Sequence, residues 1–292
     1  MFLVMEDIKI LKNQSLKDFC TFKIGGKAKY VYICNTTPAL VSSIKHCKKK
    51  GIKFKVIGLG ANILFSDKGF DGAIIVNKIN KILFRNDSVF ADSGVNVTNL
   101  IKKCYLRSLG GLENLSGIPA SVGGGVVNNL GAFGSTISDF IDYVKVIDTN
   151  NLDKVYKLKK EDCDFNYRHS IFQNSDLVVL RVKFVLLKEQ KSLIQQRIAS
   201  AIEKKTSTQP LNYPSAGSMF KRSDIIPAKV IDELGLKGLI VGKAQISKKH
   251  AGFIVNLGGA TSQDVKGLIS VINYKVKDIY NTTFEPEVEI LD

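Results

Sequence analysis

The segment from Leu109 to Gly134 constrains this chain most, because it is too rich in glycine to form one regular element. It reads LGGLENLSGIPASVGGGVVNNLGAFG. Glycine weakens both helices and strands, so neither can run through the whole segment. Flexible linkers are also rich in glycine, but they rarely carry interleaved apolar residues such as Ile118, Val122 and Phe133. The pattern therefore favours exposed backbone N–H groups against which a flat, phosphate-bearing ligand can lie.

A second glycine motif follows the apolar run Phe54-Lys55-Val56-Ile57, which is typical of a strand. Gly58-Leu59-Gly60 then resembles the start of a dinucleotide-binding fingerprint, although Ile63 stands where the third glycine belongs. The turn-rich stretch 65–72 also replaces the helix that a Rossmann site needs. Taken alone, the motif is either a phosphate-binding loop or a tight turn between strands.

Composition limits the class of protein. The 292 residues are 45% hydrophobic and 24% charged, values typical of a globular chain with a sizeable core. No apolar run approaches the ~18 residues that a membrane span needs, and no signal peptide is visible, so we expect a cytoplasmic protein without membrane insertion. The net charge of +15 comes mainly from scattered lysine. A solvated surface is favoured over a nucleic-acid site, which remains the rival from another class.

Periodicity and end signals predict an α+β chain in two parts. Strands are predicted at 54–57, at 88–92 and along the tail 284–290, where Glu287 is one of three glutamates on a solvated face. Helices are predicted from Thr37, as cap, to Gly51; from Asn96 to Arg107; from Leu187 to Lys205; and from Thr261 or Ser262 through Val265, Leu268, Ile269, Ile272, Val276 and Ile279.

The chemistry-bearing residues are unremarkable when each is taken singly. Five scattered cysteines and three scattered histidines indicate neither disulfides nor a metal site. Arg168, Ser218 and Glu287 stand in ordinary contexts, and Ser218 lacks the GxSxG frame of a hydrolase nucleophile. Each of the three is more often structural than catalytic.

Several segments in a fixed order are more informative. They are TFKIGGKAKY, VIGLGANILFSDKGFDG, GLENLSGIPASVGGGVVNNLGAFG, NYRHSIF, PSAGSMFKR, GLKGLIVGKAQISKKHAGFIVN and PEVEI. Together they resemble the UDP-N-acetylenolpyruvoylglucosamine reductase family, also called UDP-N-acetylmuramate dehydrogenase, in its compact second subtype. The resemblance runs from about Thr21 to Glu289, and the pair GSMFK and KAQISKKHAGFIVN is its most specific part.

The resemblance implies a two-part FAD-binding domain of the vanillyl-alcohol-oxidase (PCMH) type and a smaller C-terminal α+β substrate-binding domain. The expected division is 1–21 as an N-terminal segment, 22–187 as the FAD-binding domain and 188–292 as the substrate-binding domain. The implied reaction is the reduction of UDP-N-acetylglucosamine enolpyruvate to UDP-N-acetylmuramate in peptidoglycan precursor synthesis, with non-covalent FAD, NADPH as hydride donor, and a monomeric protein. An oxidase on the same flavin fold is the rival enzyme.

Matching positions carry the family's functional residues onto this chain. The implied catalytic residues are Arg168, Ser218 and Glu287. The implied cofactor-binding residues are Ile57, Gly58, Leu59, Gly60, Ala61, Asn62, Ile63, Leu64, Gly117, Ile118, Pro119, Ala120, Ser121, Gly123, Gly124, Asn129, Gly131, Ala132 and Arg222. For Arg222, beside Lys221, the alternative is a contact with the pyrophosphate of the substrate. The implied substrate-binding residues are Tyr167, Lys221, Gln245, His250 and Asn256.

Overall fold

A computed structural model describes residues 8–222 and 224–292, and it confirms the predicted α+β class. The α-helices are α1 Thr37–Lys49, α2 Val97–Tyr105, α3 Val122–Val127, α4 Lys191–Thr208, α5 Pro227–Glu233 and α6 Ser262–Tyr280. Short 3₁₀ turns lie at Leu16–Phe19, Glu113–Leu115, Ile137–Phe140 and Lys160–Cys163. The strands are β1 Ile8–Ser15, β2 Lys27–Cys34, β3 Phe54–Ile57, β4 Ile63–Phe65, β5 Phe70–Asn77, β6 Ile82–Arg85, β7 Ser88–Asp92, β8 Leu109–Gly110, β9 Gly131–Ala132, β10 Ser135–Thr136, β11 Ile141–Asp148, β12 Asn151–Lys159, β13 Leu177–Val185, β14 Leu187–Lys188, β15 Ile240–Val241, β16 Ala244–Ile246, β17 Ile254–Asn256 and β18 Glu289–Leu291.

The chain forms two compact units, each built from more than one segment. The first unit comprises Tyr30–Leu59, Gly72–Lys204 and the described residues before Lys12. The second comprises Lys12–Lys29, Gly60–Asp71 and the described part of Lys205–Asp292. The expected domain division at residues 21/22 and 187/188 stays a prediction.

A five-stranded antiparallel sheet of order β12-β11-β13-β7-β6 provides most of the first unit's core. Its strands pair Val144 with Val182 and Phe184 with Val89, and all four side chains are fully buried. Helix α3 packs against β7 and β13. Because α3 lies within the glycine-dense segment, this packing fixes that segment against the sheet.

A second sheet has the order β1-β2-β5-β3, in which β3 and β5 run parallel. Leu40 and Ile44 of α1 are buried in the adjoining core cluster. The hydroxyl of Thr36 accepts a hydrogen bond from the Ala39 N–H (3.3 Å), so Thr36 caps this helix. The prediction that Thr37 is the cap is therefore wrong by one residue, although Pro38 does lie in the first turn.

In the second unit, α6 packs against β15 and β16 of the sheet β15-β16-β17. Thr261 caps α6 in a capping box with Asp264, which confirms the predicted start of this helix. The predicted apolar face is buried at four positions, namely Val265, Leu268, Ile272 and Val276. Ile279 is 58% exposed, so its assignment to that face is wrong.

Three other element predictions need correction. Leu187–Lys188 is a strand paired with Leu109–Gly110, and helix α4 begins only at Lys191. Helix α2 is shorter than predicted because Asn96 is its cap, accepting hydrogen bonds from the next turn. The tail is a strand only over Glu289–Leu291, which runs parallel to β4. In the described part of the chain, none of the helices is long and apolar enough to cross a membrane.

Candidate active site

Two predicted cofactor-binding loops come into direct contact at Gly58 and Ser121 in the first unit. A Cβ atom placed on Gly58 would lie 1.9 Å from Ser121 Oγ, a distance that no real side chain allows. The same Ser121 hydroxyl accepts a hydrogen bond from the Gly124 N–H (3.2 Å) and so caps α3. Glycine at position 58 is therefore required by this close approach, which joins the strand-to-loop junction after β3 to the glycine-dense segment.

The rest of the first loop, from Gly60 to Leu64, belongs to the second unit. Gly60 has a φ of +62°, and a Cβ atom on it would lie 2.2 Å from the Phe19 carbonyl oxygen. Asn62 donates from Nδ2 to the backbone carbonyl of Glu287 (2.9 Å). The Glu289 N–H in turn donates to the Asn62 carbonyl (3.0 Å). The predicted cofactor loop thus holds the segment that carries a predicted catalytic carboxyl group.

Two buried polar atoms inside the glycine-dense segment lack hydrogen-bond partners among the described residues. They are Ser116 Oγ and Asn129 Oδ1, in side chains that are 2% and 4% exposed. Burying such atoms without a partner costs about 1–3 kcal/mol each. Asn129 Oδ1 needs a donor, and the Ser116 hydroxyl can either donate or accept. A cofactor with polar ring and phosphate groups would satisfy both, so these residues fit FAD.

Arg168 lies in a tight turn of the first unit. The turn is closed by the His169 N–H, which donates to the Asn166 carbonyl (3.1 Å), and by the reverse bond (3.2 Å). Arg168 has a φ of +52°, as the third residue of a type II turn requires. A Cβ atom on Gly131 would lie 3.4 Å from Arg168 Nη1, so the guanidinium lies beside Gly131. The structure therefore brings the predicted catalytic arginine to the predicted cofactor-binding pair Gly131 and Ala132.

Ser218 lies in the second unit, in an extended segment between two backbone neighbours. On one side Ser218 forms an antiparallel bridge with Phe253, and the Met219 N–H donates to the Gly252 carbonyl (2.8 Å). On the other side the Glu287 N–H donates to the Met219 carbonyl (2.8 Å). Glu287 therefore pairs with Met219, the residue that directly follows Ser218. Glu287 is also partly buried, so it does not lie on the fully solvated face that the alternation alone suggests.

The predicted substrate-binding residues of the second unit differ in how fully their polar groups are used. Lys221 Nζ lies 2.6 Å from Glu285 Oε1, and Gln245 Nε2 donates to the Gly238 carbonyl (3.1 Å). Asn256 is 2% exposed, and its amide bonds four backbone groups, those of Phe22, Lys23, Gly258 and Ala260. Asn256 therefore has a structural role in this unit, and its contact with substrate stays a prediction.

His250 lies against the segment that bridges Ser218. Its Nδ1 atom accepts a hydrogen bond from the Gly252 N–H (3.1 Å), and its ring packs edge-on against Phe253 (4.9 Å between centroids). Burial lowers the pKa of His250, and the charges of Lys237 and Arg222 lower it further. The imidazole is therefore a neutral hydrogen-bonding group at physiological pH. Arg222 itself is exposed.

Gln245 also lines a cavity of about 510 Å³ in the second unit. The lining residues include Gln209, Tyr213, Lys248 and Lys249. Tyr167, the remaining predicted substrate residue, is 54% exposed in the first unit beside Arg168.

Gln173 and Asn128 form hydrogen bonds near Arg168, and neither residue is among the predicted site residues. Gln173 Nε2 donates to Asn128 Oδ1 (2.8 Å) and to the Arg168 carbonyl oxygen (3.0 Å). No sequence pattern marks either residue, because the bond joins positions 45 apart in the chain. Clusters of three or more His, Cys, Asp or Glu side chains that could hold a metal ion do not occur within 8–222 and 224–292.

Two family models match this chain. Residues 28–151 match the family model of an FAD binding domain, and residues 209–291 match that of UDP-N-acetylenolpyruvoylglucosamine reductase, C-terminal domain. The fold and the site therefore define an FAD-dependent oxidoreductase.

Curated relatives and a solved structure identify the family. UDP-N-acetylenolpyruvoylglucosamine reductase from Caldicellulosiruptor saccharolyticus is 40% identical over 98% of this chain and 93% of its own length. The enzyme of that name from Syntrophomonas wolfei is 39% identical over 99% and 97%. The crystal structure of UDP-N-acetylenolpyruvylglucosamine reductase from Thermus caldophilus superposes with a TM-score of 0.83, at 30% identity, over 98% of this chain and 99% of that one. The chain belongs to the UDP-N-acetylenolpyruvoylglucosamine reductase family.

These comparisons confirm the family and the fold class that were expected from the sequence. They also confirm the expected cofactors, which are FAD and, as hydride donor, NADPH. The residue assignments stay predictions. The structure distributes them between the units, with Arg168, Gly58, Ser121 and Asn129 in the first and Ser218, Glu287, Asn62 and His250 in the second.

Proposed function

We propose that this protein reduces the enolpyruvyl double bond of UDP-N-acetylglucosamine enolpyruvate, giving UDP-N-acetylmuramate for peptidoglycan precursor synthesis, and that Arg168, Ser218 and Glu287 act on the reacting group. The observation that supports this most directly is the backbone bond between Glu287 N–H and the Met219 carbonyl (2.8 Å). It brings a carboxyl group and the Ser218 hydroxyl onto adjoining segments. A reaction that creates and then protonates a carbanion needs both kinds of group.

The chemistry that FAD would supply when bound is hydride transfer between NADPH and the terminal carbon of the substrate double bond. The residues that would hold FAD are the contacting pair Gly58 and Ser121, with Ser116 and Asn129 offering their unpartnered oxygens. The histidines and cysteines do not stand in sequence contexts typical of a flavin tether, so we expect FAD to be held non-covalently.

Arg168 stabilises the negative charge that reduction pushes onto the substrate carboxylate. A guanidinium can donate two parallel hydrogen bonds to a carboxylate, and it keeps its charge at any physiological pH. Its fixed turn and its place beside Gly131 support this role, because a preorganised cation does not need to rearrange as the charge develops.

Ser218 donates the proton that the neighbouring carbon needs after hydride has arrived. A serine hydroxyl is a weak acid, so it can protonate only a strongly basic partner such as this enolate. Glu287 assists by holding or sharing a proton near the developing charge, since an ionised carboxylate there would repel it.

The remaining substrate contacts come from Tyr167, Lys221, Gln245 and His250, whereas the amide of Asn256, which is fully bonded to backbone groups, supports the fold of the second unit. Lys221 is the cation suited to a diphosphate, and neutral His250 serves as a hydrogen-bonding group. NADPH and the enolpyruvyl substrate use the site in turn. The protein works in the cytoplasm and needs no nucleic acid or membrane. It acts as a monomer, which light scattering of the purified protein would check.

An anaerobic cycle tests the activity itself. The purified protein should be yellow, should lose its visible flavin absorption when NADPH is added without oxygen, and should regain it when the enolpyruvyl substrate follows. UDP-N-acetylglucosamine, which lacks the double bond, is the matched control and should restore nothing. A flavin that is reoxidised only by oxygen, with release of hydrogen peroxide, would instead indicate an oxidase on the same fold.

A further inference from the structure

Gln173 joins two parts of the first unit through a single nitrogen atom. Its Nε2 donates to Asn128 Oδ1 (2.8 Å) and to the Arg168 carbonyl oxygen (3.0 Å). An amide nitrogen carries two hydrogens, so both are used. Asn128 is the C-cap residue of α3, inside the glycine-dense segment. The backbone of Arg168 is thereby tied to the segment predicted to bind the cofactor.

The bond acts on a residue whose backbone needs support. Arg168 has a φ of +52°, a strained region that residues other than glycine and asparagine seldom occupy. Such a conformation persists only where surrounding contacts hold it. Two side chains do so here, since Asn129 Nδ2 donates to the Asn166 carbonyl (2.9 Å) at the start of the turn and Gln173 bonds Arg168 itself.

The segment after the turn has an independent anchor. Ser170 is fully buried, and its hydroxyl donates to the Val127 carbonyl (2.7 Å). This bond attaches the chain to the end of α3 without Gln173. Loss of the Gln173 amide should therefore loosen the Arg168 turn while leaving the loop and the glycine-dense segment in place.

We infer that Gln173 is a positioning residue for the reduction of the enolpyruvyl group, acting through the backbone of Arg168. The inference rests on the proposed role of Arg168. Gln173 fixes the direction in which the guanidinium leaves the turn, and small errors in such a direction are costly for a residue that must meet a carboxylate in a set geometry.

The test replaces the amide by a group of similar length that cannot donate, Gln173→Met. Anaerobic stopped flow then follows flavin absorbance in the two half-reactions separately. We expect reoxidation by the enolpyruvyl substrate to slow about tenfold or more, while reduction by NADPH and FAD affinity change by less than about twofold. Gln173→Glu should slow reoxidation at least as much, because a carboxylate would face two acceptor oxygens. The control is Gln195→Met, since Gln195 accepts a hydrogen bond from Tyr105 (3.2 Å) in the same unit.

A double variant separates positioning from simple structural support. In the Arg168→Ala background, Gln173→Met should have almost no further effect on reoxidation, because the group it positions is gone. Slowing of both half-reactions, loss of FAD, or a full additional effect in that background would overturn the inference and assign Gln173 a structural role. Normal reoxidation in Arg168→Ala alone would instead refute the proposed role of Arg168. Slow reoxidation in Arg168→Ala with normal rates in Gln173→Met would refute the inference alone.

Discussion

The turn that carries Arg168 and the segment that carries Ser218 are held in different ways. The Arg168 turn is anchored by side chains, through the amides of Asn129 and Gln173. The Ser218 segment is anchored by main-chain bonds to Gly252 and Glu287. Almost any residue can make a main-chain hydrogen bond. The hydrogen bonds that anchor the Arg168 turn, in contrast, need a side chain of the right length and polarity. Arg168 should therefore be sensitive to substitutions at neighbours that never touch substrate, and Ser218 should be sensitive mainly at its own side chain.

The largest expected effect comes from Ser218→Ala, which removes the side chain and keeps the main-chain bonds. Reoxidation by the enolpyruvyl substrate should slow by roughly 10²-fold or more, the usual contribution of a positioned general acid. Reduction by NADPH should be almost unchanged, because it needs no proton from this hydroxyl. The measurement is anaerobic stopped flow on each half-reaction.

Ser218→Cys is the companion variant, and it should recover part of the lost rate because a thiol is the stronger acid. Equal slowing of both half-reactions in Ser218→Ala would show that the hydroxyl holds the segment in place. In that case the Ser218 segment would also depend on a side chain, and it would no longer differ from the Arg168 turn in the way that it is held. Gly217, with a φ of +84°, directly precedes the serine and makes such a structural role a real competitor.

Arg168→Lys should have the next largest effect, although it conserves the charge. Lysine cannot offer two coplanar donors, and loss of one charge-assisted hydrogen bond, about 1.5–3 kcal/mol, slows reoxidation about tenfold or more. The expected KM for the enolpyruvyl substrate rises as well, since the carboxylate is also bound before reaction. Steady-state kinetics at fixed NADPH would measure both. Turnover close to that of the unmodified protein would remove Arg168 from the mechanism.

The same contrast explains how much could be predicted from the sequence. Local signals were sufficient where one residue type decides the structure, as at the predicted start of α6, where Thr261 is the cap. The main-chain pairing of Ser218 with distant segments could be expected only through the family resemblance. The Gln173 bond could not be predicted, because it depends on tertiary placement of two polar side chains that carry no pattern.

Neighbouring identical residues and weak periodicity account for the errors in the elements. Thr36 and Thr37 are both good caps, and the sequence alone does not decide which hydroxyl faces the first turn. Leu187 continues the helical spacing of α4 but pairs with Gly110 instead, since the short strand β8 offers it main-chain bonds. Tertiary contacts override local preference in both places.

Glu287→Gln should have a smaller effect, of about threefold to tenfold near neutral pH. Glutamine cannot release a proton, yet it keeps a donor where a protonated carboxyl group would stand, so part of the function is retained. The rate of reoxidation should also lose the decline at high pH that a group required in its protonated form produces. Rates measured across the pH range in both proteins provide the check. Full activity of Glu287→Gln at every pH would mean that the glutamate is only a polar surface residue.

The smallest effect concerns stability, at a side-chain contact beside the Ser218 region. His250 Nδ1 accepts from the Gly252 N–H, and protonation would turn this acceptor into a donor facing another donor. Burial lowers the pKa of His250 below its ordinary value of 6.5, so between these two values the unfolded chain binds a proton that the folded protein does not. Stability is therefore complete above the ordinary pKa and declines as the pH falls through that window, becoming constant below the folded pKa. Urea unfolding at pH values from about 8 to about 5 would measure the decline, which His250→Asn should reduce because asparagine accepts a hydrogen bond without titrating. An equally steep decline in His250→Asn would show that other groups, rather than this contact, set the acid sensitivity of the unit.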